Sequence, residues 1–332
     1  MPLVAQNVTD RVILGLMTFG PDESAGARMT SLDEFNKHLD HFQSKGYNEV
    51  DTARVYVAGK QEAWTRDAKW KDRGLTLATK VMPTEPGIHK PEKLKEYFST
   101  SLKELDTDAV DIFYLHAPDR SVPFEDTLGA LNELHKQGKF VQLGLSNFAA
   151  WEVAEVWNIA NERGWVKPTI YQAMYNAITR DIEPELIPCC RKYKIDIVIY
   201  NPLAGGLFSG KIKSADIAPS EGRFAKDSKM GAMYRERYFK NSNFEALRLA
   251  EGIAQKHNLT LLEIALRWCT HHSELKTRSK GGNDGIIIGV SSFKQLEGNL
   301  EDLEKGPLPE EVVKTLDEAW LIAKATVPPY FR

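Results

Sequence analysis

The chain has 332 residues, of which 42% are hydrophobic and 27% charged, and its formal net charge at pH 7 is −3. This balance is ordinary for a globular protein, and it argues against a nucleic-acid partner, because nucleic-acid-binding surfaces are usually strongly basic.

No apolar run reaches the roughly 20 residues that a bilayer-spanning helix needs, so we expect no contact with a membrane. The first residues lack the basic start and long apolar stretch of a signal peptide. Three cysteines without a CxxC spacing favour a reducing compartment, so we expect a cytoplasmic protein.

Short apolar segments alternate with helical patterns from one end of the chain to the other. Eight segments are short and mostly apolar, as strands covered on both faces should be. The predicted strands span residues 12–17, 48–51, 75–81, 110–115, 141–146, 169–173, 195–200 and 285–288. The predicted helices span residues 31–45, 91–105, 124–137, 149–163, 184–194, 244–257, 261–271, 293–302 and 309–324.

This alternation indicates the fold class. Strands that alternate with helices predict an α/β fold with a parallel sheet, and eight such units match an (α/β)8 TIM barrel. No Pro-, Gly- or Ser-rich linker divides the chain, so we predict one barrel domain over residues 1–332. A long irregular stretch, residues 201–243, follows the seventh strand, and a C-terminal helix and tail end the chain. A loop of that length in a compact domain is usually functional.

Ionisable side chains occur where successive predicted strands end. Asp51 ends the second strand, and Tyr56 follows it. Lys80 lies at the end of the third strand, and His116 follows the fourth. Each has an ordinary explanation when taken alone, such as a capped turn for Asp51 or a satisfied structural histidine for His116. Because the carboxyl ends of barrel strands meet at one mouth, their order along the chain favours a catalytic group of four.

These four residue types can together transfer a proton. An unperturbed tyrosine has a pKa of about 10, which is too high for efficient acid catalysis at neutral pH. The ammonium group of Lys80 would stabilise the phenolate and lower the pKa of Tyr56, while Asp51 would hold Lys80 charged and oriented. His116 would hydrogen-bond a substrate carbonyl oxygen, which Tyr56 would protonate as hydride arrives at the carbon.

Three motifs of this chain resemble signatures of the aldo-keto reductase superfamily: DTARVY (51–56), ATK (78–80) and DIFYLHAPD (111–119). The narrower aflatoxin-aldehyde reductase group, family 7, which also reduces succinic semialdehyde, resembles this chain in LHAPD, GKFVQLGLSNF, YNPLAGGLFSGK and the final YFR. The resemblance spans nearly the whole chain. It implies a barrel enzyme that reduces aldehydes, and also ketones, with NADP(H) and favours acidic or dicarbonyl aldehydes. It also implies a homodimer, although the residues themselves leave the oligomeric state open.

The pattern of glycines excludes two other nucleotide sites. No G-x-G-x-x-G follows a strand, so a Rossmann site is unsupported. Residues 205–211 fit the G-x-x-x-x-G-K pattern of a P-loop, but Ile212 follows where Mg²⁺ needs a hydroxyl group, and we reject an NTPase. Glycines still allow the backbone to approach phosphate closely, so we expect this loop to lie over a cofactor pyrophosphate.

The resemblance implies where NADP(H) binds. Ser146, Asn147 and Gln172 would hold the nicotinamide carboxamide, and Tyr200 would stack on the nicotinamide ring. Residues 289–299 would hold the adenosine 2′-phosphate and adenine at a helix N-terminus, although Gly298 stands where related sequences commonly carry Glu or Gln. The candidate cofactor contacts are Asp51, Ser146, Asn147, Gln172, Tyr200, Asn201, Leu203, Gly205, Gly210, Lys211, Arg223, Gly289, Ser291, Ser292, Gln295 and Asn299.

The substrate would contact Tyr56, His116 and the C-terminal residue, Arg332, which matches the carboxylate-binding arginine of the group. A guanidinium can hold a carboxylate through two parallel hydrogen bonds. Pro329 stands where the related pattern commonly has Asn, so one polar contact is in doubt.

Two alternatives remain beside the reductase. Relatives of this barrel serve as cofactor-sensing subunits of potassium channels and keep the same four residues. A metal-dependent hydrolase would use Asp51 and His116, but the chain has no H-x-H pair on a strand, and His271 and His272 are adjacent and would diverge on a helix. We therefore expect no metal.

Overall fold

A computed structural model describes residues 10–332, apart from the side chain of Lys229. Residues 1–9, which form most of the segment judged not to be a signal peptide, lie outside this range. Eight parallel strands close into one barrel in chain order, with β1 beside both β2 and β8. They are β1 (Arg11–Gly15), β2 (Glu49–Asp51), β3 (Thr76–Val81), β4 (Val110–Leu115), β5 (Phe140–Ser146), β6 (Pro168–Met174), β7 (Asp196–Tyr200) and β8 (Gly285–Gly289). The predicted α/β barrel is confirmed, and each predicted strand boundary lies within two residues of the observed one.

Helices lie between the strands and follow the last one. They are α1 (Leu32–Ser44), α2 (Gln61–Asp67), α3 (Pro91–Glu104), α4 (Phe124–Lys136), α5 (Ala150–Glu162), α6 (Leu186–Lys192), α7 (Lys229–Tyr238), α8 (Asn241–Lys256), α9 (Leu261–Arg267), α10 (Phe293–Glu304) and α11 (Glu310–Ala323). The predicted C-terminal helix is α11, which packs against α8. No helix among residues 10–332 has the length and apolar content needed to cross a bilayer.

The alternation of side chains along the strands positions the polar groups. Inward-facing residues fill the barrel: Ile13, Ala78, Ile112, Tyr114, Ile170, Val198 and Ile287. Outward-facing residues pack beneath the helices. Residues two positions apart on a strand face the same side of the sheet. Lys80, Gln172 and Tyr200 follow the inward-facing Ala78, Ile170 and Val198 by two positions, so they face inward as well. The pleat of the barrel therefore directs these polar side chains toward the mouth at the carboxyl ends of the strands.

The sequence patterns missed two helices, α2 and α7. The prediction that residues 201–243 are irregular is wrong, because a 3-10 turn forms at Ala204–Ser209, α7 follows it, and α8 begins earlier than residue 244. In α7, Met230, Tyr234 and Tyr238 recur every four residues in an otherwise polar segment, which makes a weak apolar pattern. The helix predicted over residues 261–271 is α-helical only as far as Arg267. A π-helical turn, Trp268–His272, follows it.

Candidate active site

The carboxyl ends of the strands form one mouth that carries most of the predicted polar side chains. Asp51 is the last residue of β2, Lys80 lies next to the end of β3, and His116 directly follows β4. Ser146 and Tyr200 are the last residues of β5 and β7. Direct contacts join these groups, as described below.

Lys80 and Asp51 form a buried ion pair at the centre of the mouth. Lys80 Nζ lies 2.5 Å from Asp51 Oδ1 and donates a second hydrogen bond, of 2.6 Å, to the carbonyl oxygen of Thr52. Gln172 Nε2 donates to the other carboxylate oxygen of Asp51 at 2.9 Å. Burial lowers the pKa of Lys80 and raises that of Asp51, and the contact between them opposes both shifts. Loss of either partner would leave an uncompensated buried charge.

Tyr56 faces this ion pair. Its hydroxyl lies 3.5 Å from Lys80 Nζ, the outer limit of a hydrogen bond, and its ring meets that of His116 at an angle, with centroids 5.9 Å apart. Burial raises the pKa of Tyr56 well above its ordinary value, and the Asp51 carboxylate raises it further. The expectation that the pKa of Tyr56 is lowered is wrong for this arrangement, because burial raises it. Tyr56 is therefore held as a neutral phenol.

His116 borders Tyr56 on the β4 side. Its Nδ1 atom is buried and has no hydrogen-bond partner within the described part of the chain. Burial lowers the pKa of His116 well below its ordinary value, and the positive charges of Lys80 and Arg332 lower it further. The imidazole is therefore neutral near pH 7, and it can donate a hydrogen bond without carrying a charge.

Three of the predicted nicotinamide contacts bond to one another. Asn147 follows β5 in the left-handed conformation (φ 61°). Its Nδ2 atom donates to Ser146 Oγ at 3.0 Å and to the carbonyl oxygen of His116 at 2.8 Å. Its Oδ1 atom accepts a hydrogen bond of 2.9 Å from the hydroxyl of Tyr200. The ends of β4, β5 and β7 are thus joined through one side chain. The fourth predicted contact, Gln172, instead bonds Asp51.

The loop after β7 carries the next predicted group. Asn201 is left-handed (φ 58°), and its Nδ2 atom is buried without a partner among the residues that the structure describes. Leu203 directly precedes the 3-10 turn. Gly205 lies within this turn and Gly210 directly follows it, and both have a φ of 68°. Lys211, just beyond the turn, is exposed. These residues therefore lie on one loop that leaves the end of β7.

Arg223 lies farther along this loop, close enough for its charge to act on Tyr56. Its guanidinium is 5.1 Å from the centre of the Tyr234 ring and 3.5 and 3.2 Å from the sulfur atoms of Met17 and Met230. Its charge opposes the rise in the pKa of Tyr56. The role of Arg223 as a cofactor contact stays a prediction.

The last predicted cofactor segment joins β8 to α10. A Cβ atom on Gly289 would meet open space. Ser292 Oγ accepts the N–H of Gln295 at 3.4 Å, and Gln295 Oε1 accepts the N–H of Ser291 at 2.8 Å. Asn299 is buried farther along α10. The first turn of a helix offers N–H groups without intrahelical partners, which suits a phosphate.

The C-terminal tail reaches the mouth. The N–H of Arg332 donates to the carbonyl oxygen of Asn147 at 3.0 Å. The buried Tyr330 hydroxyl accepts the N–H of Ala150 at 2.9 Å and donates to Glu185 Oε2 at 2.8 Å. The tail is therefore attached both to the loop after β5 and to the segment before α6.

Arg237 is a candidate residue that the sequence patterns did not reveal. It lies on α7, with its guanidinium 5.5 Å from the ring of Tyr234 and 6.0 Å from that of Tyr238. Burial raises the pKa of Tyr200, and the charge of Arg237 opposes this rise. No motif marks this residue, and the only signal was the four-residue spacing of apolar side chains around it.

Comparison with known proteins agrees with this geometry. The model of the aldo/keto reductase family matches residues 11–321. An aldo-keto reductase of Pseudocercospora fijiensis is 44% identical over 299 residues, which cover 88% of this chain and 99% of that protein. Aflatoxin B1 aldehyde reductase member 2 of Mus musculus is 42% identical over 331 residues, 96% of this chain and 87% of the relative. Aldo-keto reductase family 7 member A3 of Homo sapiens is 42% identical over 301 residues, with coverages of 88% and 90%.

The family match includes all eight strands of the barrel. The resemblance drawn from the motifs is confirmed, including the narrower likeness to the aflatoxin aldehyde reductases of family 7. The chain is thus an oxidoreductase that acts on small carbonyl substrates, and it belongs to the aldo/keto reductase family.

Proposed function

We propose that this protein reduces aldehydes to alcohols, with NADPH as the hydride donor and Tyr56 as the proton donor. The observation that carries the proposal is the chain of contacts in which Asp51 pairs with Lys80 and Lys80 faces the Tyr56 hydroxyl. Support also comes from the relatives, several of which are named aflatoxin B1 aldehyde reductases. A general acid must lie within hydrogen-bond reach of the atom it protonates, and the phenol at the mouth meets that requirement for a carbonyl bound there.

The residues around the mouth suit a nicotinamide dinucleotide, which when bound supplies hydride to the carbonyl carbon. The Asn201 Nδ2 atom is buried without a hydrogen-bond partner within residues 10–332, as expected for a donor that a ligand satisfies, while its Oδ1 atom accepts a hydrogen bond of 3.4 Å from the Tyr234 hydroxyl. The first turn of α10, with Ser291 and Ser292, would hold the 2′-phosphate. We propose that Ser146, Asn147, Gln172 and Tyr200 hold the nicotinamide end, and that the loop from Asn201 to Lys211 lies over the pyrophosphate.

The protein's own groups would supply the proton. Tyr56 is a neutral phenol that carries a proton near pH 7, and it would give up this proton only as negative charge develops on the carbonyl oxygen during hydride transfer. Neutral His116 would donate a hydrogen bond to the carbonyl oxygen and orient it toward Tyr56. Lys80, held by Asp51, would stabilise the phenolate that remains after the proton has moved. Burial of Asp51 and Lys80 strengthens the electrostatic contacts that these two groups make.

We further propose that acidic or dicarbonyl aldehydes are favoured substrates. Three arginines lie close enough to the mouth for their charges to act on its residues: Arg223 on Tyr56, Arg237 on Tyr200, and Arg332 on His116. Guanidinium groups hold carboxylates through paired, charge-assisted hydrogen bonds. A substrate that carries a carboxylate would therefore be oriented by the rim of the site.

A panel of aldehydes and ketones assayed with NADPH and with NADH tests the proposed function. We expect turnover of aldehydes and a kcat/KM at least about tenfold higher with NADPH, because a charge-assisted contact to the 2′-phosphate is worth roughly 1.5–3 kcal/mol. Equal kcat/KM for both cofactors would contradict the cofactor preference. Tight NADPH binding without turnover of any carbonyl would favour the cofactor-sensing alternative.

We also propose that residues 1–332 act as a single domain, as a homodimer and in the cytoplasm. Support for the single domain comes from α11, which packs on α8 of the same barrel. The three cysteines are free thiols, which suits a reducing compartment. The homodimer rests on the family resemblance, and sedimentation of the purified protein tests it.

A further inference from the structure

Tyr56 begins a strained turn. The turn contains Val57 (φ 51°, ψ 48°) and Ala58 (φ 52°, ψ 36°), two consecutive residues in the left-handed region that favours glycine. A β-branched residue in that region is a conformational outlier, and such a residue persists only where its surroundings over-determine it. Contacts from outside the turn must therefore hold Tyr56 in place.

Arg54 supplies the first of these contacts. Its Nη1 atom lies 2.5 Å from Glu62 Oε2, and its Nη2 atom donates to the carbonyl oxygen of Gly59, the last residue of the turn. The backbone N–H of Arg54 donates to the carbonyl oxygen of Lys80 at 3.0 Å. The side chain of Arg54 thus closes the turn, while its backbone joins the turn to β3.

Glu62 extends the connection to the strand that carries Lys80. Its side chain is fully buried, and its Oε1 atom accepts a hydrogen bond of 2.6 Å from the hydroxyl of Thr79. Thr79 precedes Lys80 in β3, and neighbouring strand residues face opposite sides of the sheet. A single carboxylate therefore connects the turn that carries Tyr56 with the back of the strand that carries Lys80.

Packing on the other side of the turn leaves it little freedom to move. A Cβ atom on Gly20 would lie 2.9 Å from both methyl carbons of Val57, so the backbone of residue 20 is in close contact with the turn. A buried charged group is expensive unless it is paired, and an apolar residue often fills such a position at no loss of stability. Burial and pairing alone do not set Glu62 apart, since Asp284 is buried and paired with Arg191 in the same way. The place of Glu62, between the turn that follows Tyr56 and the strand that carries Lys80, points to a positioning role.

We propose that Glu62 is a positioning residue, which acts through Arg54 and Thr79 to hold the Tyr56 hydroxyl at the distance from Lys80 that proton transfer requires. The inference rests on the proposed function, because it takes Tyr56 as the proton donor.

The test compares Glu62→Gln with the wild type in steady-state kinetics, in H₂O and in D₂O. We expect kcat to fall at least about tenfold with little change in KM, because a misplacement of 1 Å can cost about a hundredfold. The solvent deuterium isotope effect on kcat should rise, since proton transfer becomes slower relative to the other steps. Hydrogen exchange of the backbone amides of residues 54–59 should become faster in the protein without ligands.

Asp284→Asn is the matched control. Asp284 lies just before β8, at the opposite end of the barrel, and is a buried carboxylate that pairs with Arg191 and accepts the N–H of Ile197 at 2.7 Å. This variant should lower the Tm but leave kcat and the isotope effect unchanged. Thr79→Val should reproduce part of the Glu62→Gln effect, and Thr79→Ser, which keeps the hydroxyl, should retain more of kcat than Thr79→Val.

A wild-type kcat and isotope effect in Glu62→Gln would overturn the inference. The inference would also be overturned if Glu62→Gln and Asp284→Asn both lost kcat in proportion to their loss of Tm. If Glu62→Gln does not fold, Arg54→Lys provides the same comparison, because lysine keeps the charge but cannot reach both Glu62 and the carbonyl oxygen of Gly59. Full activity in Tyr56→Phe would instead refute the proposed function. An inactive Tyr56→Phe beside an unaffected Glu62→Gln would refute the positioning role alone.

Discussion

The ammonium group of Lys80 makes its two short contacts with Asp51 and the carbonyl oxygen of Thr52, and its longest polar contact with Tyr56. Burial outweighs the charge of the neighbouring Lys80, so the pKa of Tyr56 is raised. At the scale of single residues, Lys80 therefore orients Tyr56 more than it acidifies it. A reduction that consumes a proton needs a phenol that is still protonated when hydride arrives at the carbonyl carbon, and Tyr56 meets that need.

Tyr56→Phe should keep NADPH binding but lose carbonyl reduction. The change removes the hydroxyl and keeps the ring that packs beside His116, so we expect the fold to be intact. General acid catalysis contributes about 10²–10⁴-fold, and we expect kcat to fall by about that factor. NADPH consumption measures kcat, and a fluorescence titration measures cofactor affinity. A near-normal kcat would rule out Tyr56 as the proton donor.

Arg332→Ala should raise KM selectively for acidic aldehydes. The Arg332 backbone bonds to Asn147, and its charge lies close enough to lower the pKa of His116. Loss of a charge-assisted contact worth roughly 1.5–3 kcal/mol should raise KM about tenfold or more for an aromatic aldehyde with an ortho carboxylate. For the matching aldehyde with a methyl group in place of the carboxylate, KM should change little. Equal effects on both substrates, or none, would mean that the tail only packs.

At the scale of elements, the pairing of β4 with β5 depends on a missing side chain. Gly144 is the register partner of Tyr114, and a Cβ atom at this position would clash with the Cδ1 and Cε1 atoms of that tyrosine. Tyr114 is fully buried in the barrel interior and cannot move aside freely. We expect Gly144→Ala to destabilise the protein by about 1–3 kcal/mol, the usual cost of overpacking a core. Urea unfolding measures this change.

Gly252→Ala is the control for this prediction. Gly252 lies inside α8, where an added Cβ atom would meet open space. Alanine in a helix interior is more stable than glycine by about 0.5–1 kcal/mol, so this variant should be slightly more stable than the wild type. If both variants lost stability equally, the Tyr114 contact would not be the cause.

At the scale of the whole molecule, stability should fall as the pH becomes acidic. His89, between β3 and α3, is buried, and its Nε2 atom has no hydrogen-bond partner within residues 10–332. Burial lowers the pKa of His89 to about 4. The unfolded chain binds a proton there near pH 6.5, whereas the folded state does so only near pH 4. Stability is therefore complete above about pH 6.5 and is lost as the pH falls toward 4, by up to about 3 kcal/mol.

His89→Gln removes this titration. The fall in Tm between pH 7 and pH 5 should be smaller in this variant than in the wild type, whatever its Tm at pH 7. His135→Gln, in the last turn of α4, serves as the control for loss of a histidine. An equal pH dependence in wild type and His89→Gln would show that other groups cause the acid sensitivity.

The elements predicted best are those with strong local signals. Each strand is a short apolar run, and Asp51, Tyr56, Lys80 and His116 stand within or beside such runs. α7 was missed because its apolar spacing is weak, and Arg237 was missed with it. The prediction that the pKa of Tyr56 is lowered was wrong. Burial and the Asp51 charge raise this pKa, and a sequence motif does not reveal how deeply a residue is buried.

The barrel, the family and the order of the ionisable residues can all be read from the chain alone, because periodicity and motifs are properties of residues close together in sequence. Which side chains share a proton or a charge depends instead on tertiary contacts. Gln172 and Asp51 are 121 positions apart, yet they form one hydrogen bond at the mouth. The link from Glu62 to Thr79 and the docking of Arg332 on Asn147 likewise join distant segments. Such contacts and the burial around them arise only when the barrel closes.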